Sequence, residues 1–282
     1  MNNIGIAINP SKDKKNNILN MVIKKFKGKF DLNNIVVFNS FDIEKQNLKG
    51  LDLLVVLGGD GTLLGIARAL KDEVDIPLFG VNIGNLGFLS SVEISELDEA
   101  LDKIKDGNYR ITERMMLSCS VDYNGGSEQL NALNDVVLAR GTLSRMVKFK
   151  VFVDGKIYSS FKGDGLIVAT PTGSTAYSFS AGGPLIYPNL ELITITPICP
   201  HKRNMQTIVL NGNSIVEIIA ENEEEEIYLT VDGQKAIEVS KQKIVKVSKS
   251  KKSVKLLLFD DYDYFNVLRN KILNDSKECD GE

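Results

Sequence analysis

A glycine-rich segment with one carboxylate, Gly-Gly-Asp-Gly-Thr at residues 58–62, has the residue types best suited to chemistry. It follows an apolar run at residues 53–57 and precedes a helical pattern of apolar residues that begins at Leu63. Glycines permit positive φ angles and let backbone N–H groups approach an anion, and the following helix directs its positive end to the same place. The segment therefore predicts a phosphate-binding turn between a strand and a helix.

Asp60 lies in this segment where a bound phosphate has to approach. A carboxylate and a phosphate about 4 Å apart in a partly dehydrated site repel each other by several kcal/mol. We therefore expect Asp60 to orient an attacking hydroxyl or to accept its proton, while a divalent cation screens the phosphates. The sequence contains no Walker-type loop, and a dinucleotide-binding fingerprint over residues 59–65 is a loose match. A purely structural helix-starting turn remains an alternative.

A second group of polar residues lies in the other half of the chain. Asn134 and Asp135 stand at the start of an otherwise apolar strand, and residues 163–184 are dense in glycine and small hydroxyl residues around Tyr177. Amide, carboxylate and hydroxyl groups suit hydrogen bonds to ribose hydroxyls or an adenine edge. Each segment taken alone is also compatible with a tight turn.

The secondary-structure elements that must position these residues follow two different sequence patterns in the two main parts of the chain. Residues 1–108 alternate short apolar runs with helical periodicity, which predicts an α/β domain with a parallel sheet and flanking helices. The predicted strands are 4–9, 35–38, 53–57 and 78–81, and the predicted helices are 18–26, 63–70 and 97–104. Residues 109–255 show short alternating segments and turn pairs, which predicts a β-rich, sandwich-like domain. Residues 256–282 are expected to supply a strand at 256–259 and a helix at 264–273 that return toward the first domain.

Composition and charge limit the possible partners. The 282 residues include 34 basic and 37 acidic side chains, a formal net charge of -3, so no strong field favours nucleic acid or an anionic membrane. The three cysteines have no metal-binding spacing, and His201 is the single histidine, so we expect no protein-bound metal. No basic leader and no apolar stretch of about 18 residues is present, which predicts a cytoplasmic protein.

The combination of motifs resembles the NAD kinase family, whose members phosphorylate the adenosine 2′-hydroxyl of NAD to give NADP. Lipid kinases of the diacylglycerol type share the Gly-Gly-Asp-Gly-Thr motif, and the block at 163–184 narrows the resemblance to NAD kinases. The family usually has Asn-Glu where this chain has Asn134 and Asp135. The segments that carry the resemblance are 58–62, 82–89, 134–135, 163–184, 196–201 and 232–234.

The resemblance implies a role for individual residues. Asp60 is expected to be the catalytic carboxylate, within a triphosphate loop that includes Gly59, Gly61 and Thr62. Phe88 is expected to lie against the adenine, and Asp164 to approach the nicotinamide end of NAD from a neighbouring subunit of a homodimer or homotetramer. The full set of expected NAD-binding residues is Phe88, Asn134, Asp135, Asp164, Thr172, Thr175, Ala176, Tyr177 and Ser180.

The expected reaction is transfer of the terminal phosphoryl group of ATP to NAD, with Mg²⁺ or Mn²⁺ accompanying ATP. Two alternatives remain open at this stage. A lipid kinase of the related superfamily requires a membrane-seeking apolar segment, and no amphipathic helix rich in aromatic residues and lysine is present. A non-catalytic nucleotide sensor requires no carboxylate beside the phosphates, whereas this chain has Asp60.

Overall fold

The computed structural model describes residues 1–70, 74–84, 87–123, 126–141, 145–201, 205–221, 226–239 and 243–273. The chain divides into two compact units, the first formed by residues 1–113 with the chain from 255 onward, and the second by residues 114–254. Parts of two features noted in the sequence lie outside the described residues, namely Asn85 and Leu86 of the 82–89 segment and Cys279 among the cysteines.

The first unit contains a parallel sheet. Its strands pair in the order β2, β1, β3, β4, and β4 pairs in addition with β5 and, at Leu78, with Leu256. Every residue of β3 is buried, as expected for a central strand covered on both faces. The four strands predicted for this region are confirmed, with ends that differ by one residue. The strands are β1 (Asn3–Ile8), β2 (Asn34–Asn39), β3 (Leu53–Gly58), β4 (Leu78–Asn82) and β5 (Val92–Glu93).

Three helices pack against this sheet: α1 (Asn17–Lys29), α2 (Asp60–Ala69) and α3 (Leu97–Asp106). Side chains such as Phe26 and Leu101 form one core with apolar residues of β1, β3 and β4. Helix α3 ends where Gly107 adopts a positive φ of 77°, which is the common glycine-terminated end of a helix. The α/β class predicted for this part of the chain is confirmed.

The second unit consists of two sheets. In the first sheet, β9 pairs with β10 and β14, β14 pairs with β17, and β6 pairs with β7 and β17. The second sheet has the order β13, β12, β11, β8, β15, β16 and is antiparallel throughout. The strands are β6 (Tyr109–Tyr123), β7 (Gly126–Ala132), β8 (Asp135–Arg140), β9 (Val147–Val153), β10 (Lys156–Gly163), β11 (Gly165–Ala169), β12 (Leu192–Ile198), β13 (Ile208–Asn211), β14 (Val216–Glu221), β15 (Ile227–Val231), β16 (Lys235–Glu238) and β17 (Ile244–Phe259).

One apolar core in the second unit draws side chains from both sheets. Phe149 and Phe161 come from the first sheet, with ring centroids 5.5 Å apart, and Leu138 and Leu166 come from the second. Alternate residues of each strand face this core, which is the pattern of a sandwich. The predicted β-rich, sandwich-like class is confirmed. A four-residue helix, α4 (Tyr177–Ser180), follows a short 3₁₀ helix at Thr172–Thr175.

The chain from residue 255 onward belongs to the first unit. Helix α5 (Tyr264–Leu268) starts where the Asp263 side chain accepts hydrogen bonds from the N–H groups of Phe265 and Asn266. The predicted helix at 264–273 is present in two forms, since α5 is followed by a π-helical turn at Arg269–Leu273. Among the helices of the described residues, none has the length and apolar character needed to cross a membrane.

Candidate active site

The glycine turn joins β3 to α2 in the first unit. Gly59 is the N-cap of α2 and has an extended backbone, with φ −114° and ψ −173°. None of Gly58, Gly59 and Gly61 has a positive φ, so the turn does not use this conformational freedom of glycine. The neighbouring Gly58 is required for close approach, since a Cβ there would lie 2.4 Å from Oγ1 of Thr62. The turn is thus a tight crossing from strand to helix.

The Asp60 side chain is held by the loop that follows β4. Its Oδ2 accepts a 2.7 Å hydrogen bond from the N–H of Phe88, and its Oδ1 accepts from the N–H of Leu89 at 3.2 Å and the hydroxyl of Ser90 at 3.3 Å. A Cβ at Gly87 would lie 2.1 Å from Oδ1 of Asp60, so the loop can approach this closely because residue 87 is glycine. A carboxylate has about four acceptor positions. Three donors leave one position for a substrate hydroxyl.

Phe88 is fixed from a second direction. Its C=O accepts a 3.3 Å hydrogen bond from the hydroxyl of Tyr262, and its ring centroid lies 6.4 Å from that of Tyr264. Both backbone polar groups of Phe88 therefore have partners within the first unit. Tyr262 was not among the residues predicted from the sequence, because a contact between positions 174 residues apart has no local sequence signal.

In the second unit, Asp232 organises the predicted Asn134–Asp135 pair. Its carboxylate accepts hydrogen bonds from three successive backbone N–H groups, those of Leu133 at 3.1 Å, Asn134 at 2.8 Å and Asp135 at 3.1 Å. Sequence reasoning did not place Asp232 among the site residues, because Asp-Gly at 232–233 has the composition of a turn. Its appearance among the segments that carry the family resemblance was the one available signal.

Asp135 is deeply buried, with 4% of its surface exposed. Burial, and secondly the negative charge of Asp232, raise the pKa of the Asp135 carboxyl to about 7. Near neutral pH this group therefore populates both a carboxylic acid, which donates a hydrogen bond, and a carboxylate, which only accepts. Either form can bind a hydroxyl of a ligand.

The turn after β11 packs onto Asn134. The N–H of Thr170 donates to the C=O of Asn134 at 2.9 Å, and a Cβ at Gly173 would lie 2.2 Å from the same oxygen. Thr172 is buried, and its Oγ1 has no hydrogen-bond partner among the described residues. A buried hydroxyl without a partner is costly unless a ligand or water completes it. The backbone of Asn134 thus packs against the turn that carries Thr172, and we refer to Asn134, its neighbour Asp135 and Thr172 as the polar cluster.

The remaining predicted residues of this segment are more exposed. Thr175 is partly buried, and its Oγ1 donates to the C=O of Thr172 at 3.4 Å. Ala176 is also partly buried, whereas Tyr177 is 47% exposed and Ser180 is exposed. These side chains are accessible to a ligand.

Asp164 is not brought to this cluster. It precedes β11, whereas Asp135 pairs with Ala169 at the far end of that strand, five residues or about 17 Å away along the strand direction. Its Oδ1 lies 2.7 Å from Nε of Arg140. Asp164 therefore belongs to a different part of the second unit. Across the described residues, no group of three or more His, Cys, Asp or Glu side chains is arranged to hold a metal ion.

Comparison with known proteins covers almost the whole chain. Residues 4–109 match the family model of the ATP-NAD kinase N-terminal domain, and residues 133–259 match that of the ATP-NAD kinase C-terminal domain. The chain is 74% identical over 282 residues to the NAD kinase of Clostridium beijerinckii, and 62% identical to that of Clostridium botulinum strain Eklund 17B. Each alignment covers all of this chain and 99% of the relative.

Two solved structures share the fold. An NAD kinase from Archaeoglobus fulgidus in complex with ATP has a TM-score of 0.77 and 27% identity, with 96% of this chain and 98% of that chain covered. Yeast NADH kinase complexed with NADH has a TM-score of 0.84 and 23% identity, with 97% and 88% covered.

Proposed function

The chain belongs to the ATP-NAD kinase family and transfers the terminal phosphoryl group of ATP to the adenosine 2′-hydroxyl of NAD, and we propose that Asp60 accepts the proton of that hydroxyl. The lipid kinase and sensor alternatives are not favoured, because the full-length relatives are NAD kinases. The observation that carries the proposal is the remaining acceptor position on a carboxylate fixed by three donors.

The 2′-hydroxyl oxygen forms a bond to the terminal phosphorus as the bond from that phosphorus to the bridging oxygen of ADP breaks. The bridging oxygen keeps the electron pair, and Asp60 takes the hydroxyl proton. Because the transition state of phosphoryl transfer is loose, alignment is the main task of the protein, so Asp60 chiefly holds the hydroxyl in line and takes its proton late. Gly59, Gly61 and Thr62 are proposed to line the triphosphate.

We assign NAD binding to the residues named from the family resemblance. The polar cluster of Asn134, Asp135 and Thr172 supports this assignment, because a buried hydroxyl and a buried carboxyl are available for ribose hydroxyls or the adenine. Thr175, Ala176, Tyr177 and Ser180 extend the cluster toward solvent, and Phe88 is proposed to contact the adenine. The domain division proposed for these roles is 1–108 for the nucleotide, 109–255 for NAD, and 256–282 as a C-terminal extension.

Further proposals concern the metal ion, the oligomeric state, the cellular location and the binding partners. Mg²⁺ or Mn²⁺ is proposed to arrive with ATP and to neutralise phosphate charge, which suits a site with one carboxylate, since Mg²⁺ in kinases is held largely by phosphates and water. The enzyme is proposed to be a cytoplasmic homodimer or homotetramer in which Asp164 reaches the NAD of a neighbouring subunit. The nearly balanced charge argues against nucleic acid or a membrane surface as a partner.

The test compares purified wild type with Asp60→Asn in an assay with ATP, NAD and Mg²⁺, with NADP detected by an NADP-specific dehydrogenase. Loss of an aligned proton acceptor should lower kcat at least about 100-fold and leave the affinity for NAD, measured by calorimetry, little changed. Ser90→Ala is the control, because it removes one donor to Asp60 and keeps the charge. Full activity in Asp60→Asn would remove Asp60 from the mechanism.

A further inference from the structure

The loop at residues 9–16 lies beside the glycine turn. Strands β1 and β3 are parallel neighbours with Ile8 opposite Leu57, and the N–H of Asn9 donates to the C=O of Leu57 at 3.2 Å. Because the carboxyl ends of neighbouring parallel strands share one edge of the sheet, the loop that follows β1 meets the turn that follows β3.

Local hydrogen bonds hold this loop in one shape. The Asn9 side-chain oxygen accepts from the N–H and the hydroxyl of Ser11, and the N–H of Lys12 donates to the C=O of Asn9 at 3.1 Å. On the other side, the Asp13 carboxylate accepts from the N–H groups of Asn17 and Leu19, both at 2.9 Å. The backbone of Lys12 is therefore fixed by partners before and after it.

The ammonium of Lys12 points to the glycine turn. Its Nζ lies 3.4 Å from the position that a Cβ on Gly59 would occupy, and no other group outside the immediate chain neighbours comes within 4 Å of that position among the described residues. No carboxylate among the residues that the structure describes forms an ion pair with Lys12. The side chain of Lys12, an exposed residue, thus places its positive charge above Gly59, the N-cap residue of α2.

The electrostatics of the turn favour a positive group at this position. A triphosphate bound at residues 59–62 approaches the carboxylate of Asp60, and like charges about 4 Å apart in a partly dehydrated site repel each other strongly. A lysine ammonium is a compact positive charge with three donors that can move among phosphate oxygens. Lys12 is placed to supply this charge from the protein, in addition to any cation that accompanies ATP.

We propose that Lys12 is a catalytic residue whose ammonium binds oxygen atoms of the ATP triphosphate at the glycine turn. The inference rests on the proposed function of residues 59–62 as the triphosphate loop. Lys12 attracts the phosphates while Asp60 stays available for the acceptor hydroxyl. It therefore acts on the donor substrate, and NAD binding does not depend on it.

The experiment measures steady-state kinetics of Lys12→Ala, Lys12→Arg and Lys15→Ala with ATP and NAD varied separately. Lys12→Ala should raise KM for ATP about tenfold or more, the usual size for a lost charged hydrogen bond, while KM for NAD stays within about twofold. Lys12→Arg should restore part of the loss, because the charge is kept. Lys15 is an exposed lysine of the same loop, and Lys15→Ala should behave as wild type.

Equal effects of Lys12→Ala and Lys15→Ala, or an equal rise of both KM values in Lys12→Ala, would overturn the proposal. Thermal unfolding of each variant identifies loss of fold, and binding of a non-hydrolysable ATP analogue by calorimetry provides a readout independent of turnover. Asp60→Asn separates the two proposals. If Asp60→Asn is inactive but Lys12→Ala has normal kinetics, only the proposal for Lys12 is contradicted. If Asp60→Asn is active, the proposed function of Asp60 is contradicted.

Discussion

The backbone N–H of Phe88 lies 2.7 Å from Oδ2 of Asp60, and this hydrogen bond joins the loop after β4 to the first residue of α2. Residue 88 is the one expected to contact adenine, and residue 60 is the one expected to receive the proton. Movement of either residue is therefore transmitted to the other. Substitutions in the loop that displace this hydrogen bond should alter turnover even where the substituted residue does not touch the substrate.

Gly87→Ala tests this coupling. The new Cβ would lie 2.1 Å from Oδ1 of Asp60, so the loop or the carboxylate has to move. A displacement of about 1 Å in a reacting group can lower a rate about 100-fold, and we expect kcat to fall between about tenfold and 100-fold. The measurement is steady-state production of NADP.

Gly84→Ala is the matched control in the same loop. Its Cβ would meet Oδ1 of Asn82 at 3.6 Å, which is an ordinary contact, so kcat should stay within about twofold of wild type. If both variants lose activity equally, the loop tolerates no substitution and the specific contact with Asp60 is not the cause.

The parts of this structure that the sequence predicts are those with local signals. The apolar run at 53–57 became the buried strand β3, and the glycine turn lies between strand and helix as expected. The missed contacts, Asp232 with residues 133–135 and Tyr262 with Phe88, join positions about 100 or more apart. Neither partner carries a periodic or turn signal that identifies the other, so these contacts depend on the packing of strands and loops in three dimensions.

Asp135 should give the stability of the fold a specific pH dependence. Its pKa rises from 3.8 to about 7 on folding, first through burial and second through the charge of Asp232. Between these values the folded state binds more protons than the unfolded state, so this group makes the free energy of unfolding fall as pH rises from about 4 to 7. The slope is at most about 1.4 kcal/mol per pH unit.

The measurement is urea unfolding of wild type and Asp135→Asn at pH 5, 6, 7 and 8. Asparagine does not titrate, so the unfolding free energy of wild type minus that of Asp135→Asn should decrease as pH rises through this range. Comparison at each pH cancels the other titrating groups that the two proteins share. A difference that is constant from pH 5 to pH 8 would contradict a raised pKa for Asp135.

Asp164 leads to a prediction about assembly, because β11 separates it from the cluster around Asp135. If Asp164 completes the NAD site of a neighbouring subunit, each site takes Asp60 from one subunit and Asp164 from the other. Asp60→Asn and Asp164→Asn then alter residues that different subunits contribute to the same site. A mixed dimer then contains one site with both native carboxylates and one site with neither. Two inactive variants should therefore restore activity when they are combined.

The experiment mixes the two variants in equal amounts under conditions that exchange subunits. Random pairing makes half of the dimers mixed, so NADP production should reach about a quarter of the wild-type rate per subunit. The control combines Asp60→Asn with itself after the same exchange treatment, which should leave the protein inactive. If Asp164 serves the site of its own subunit, every site in the mixture lacks one carboxylate, and the combined variants should show no more activity than either alone.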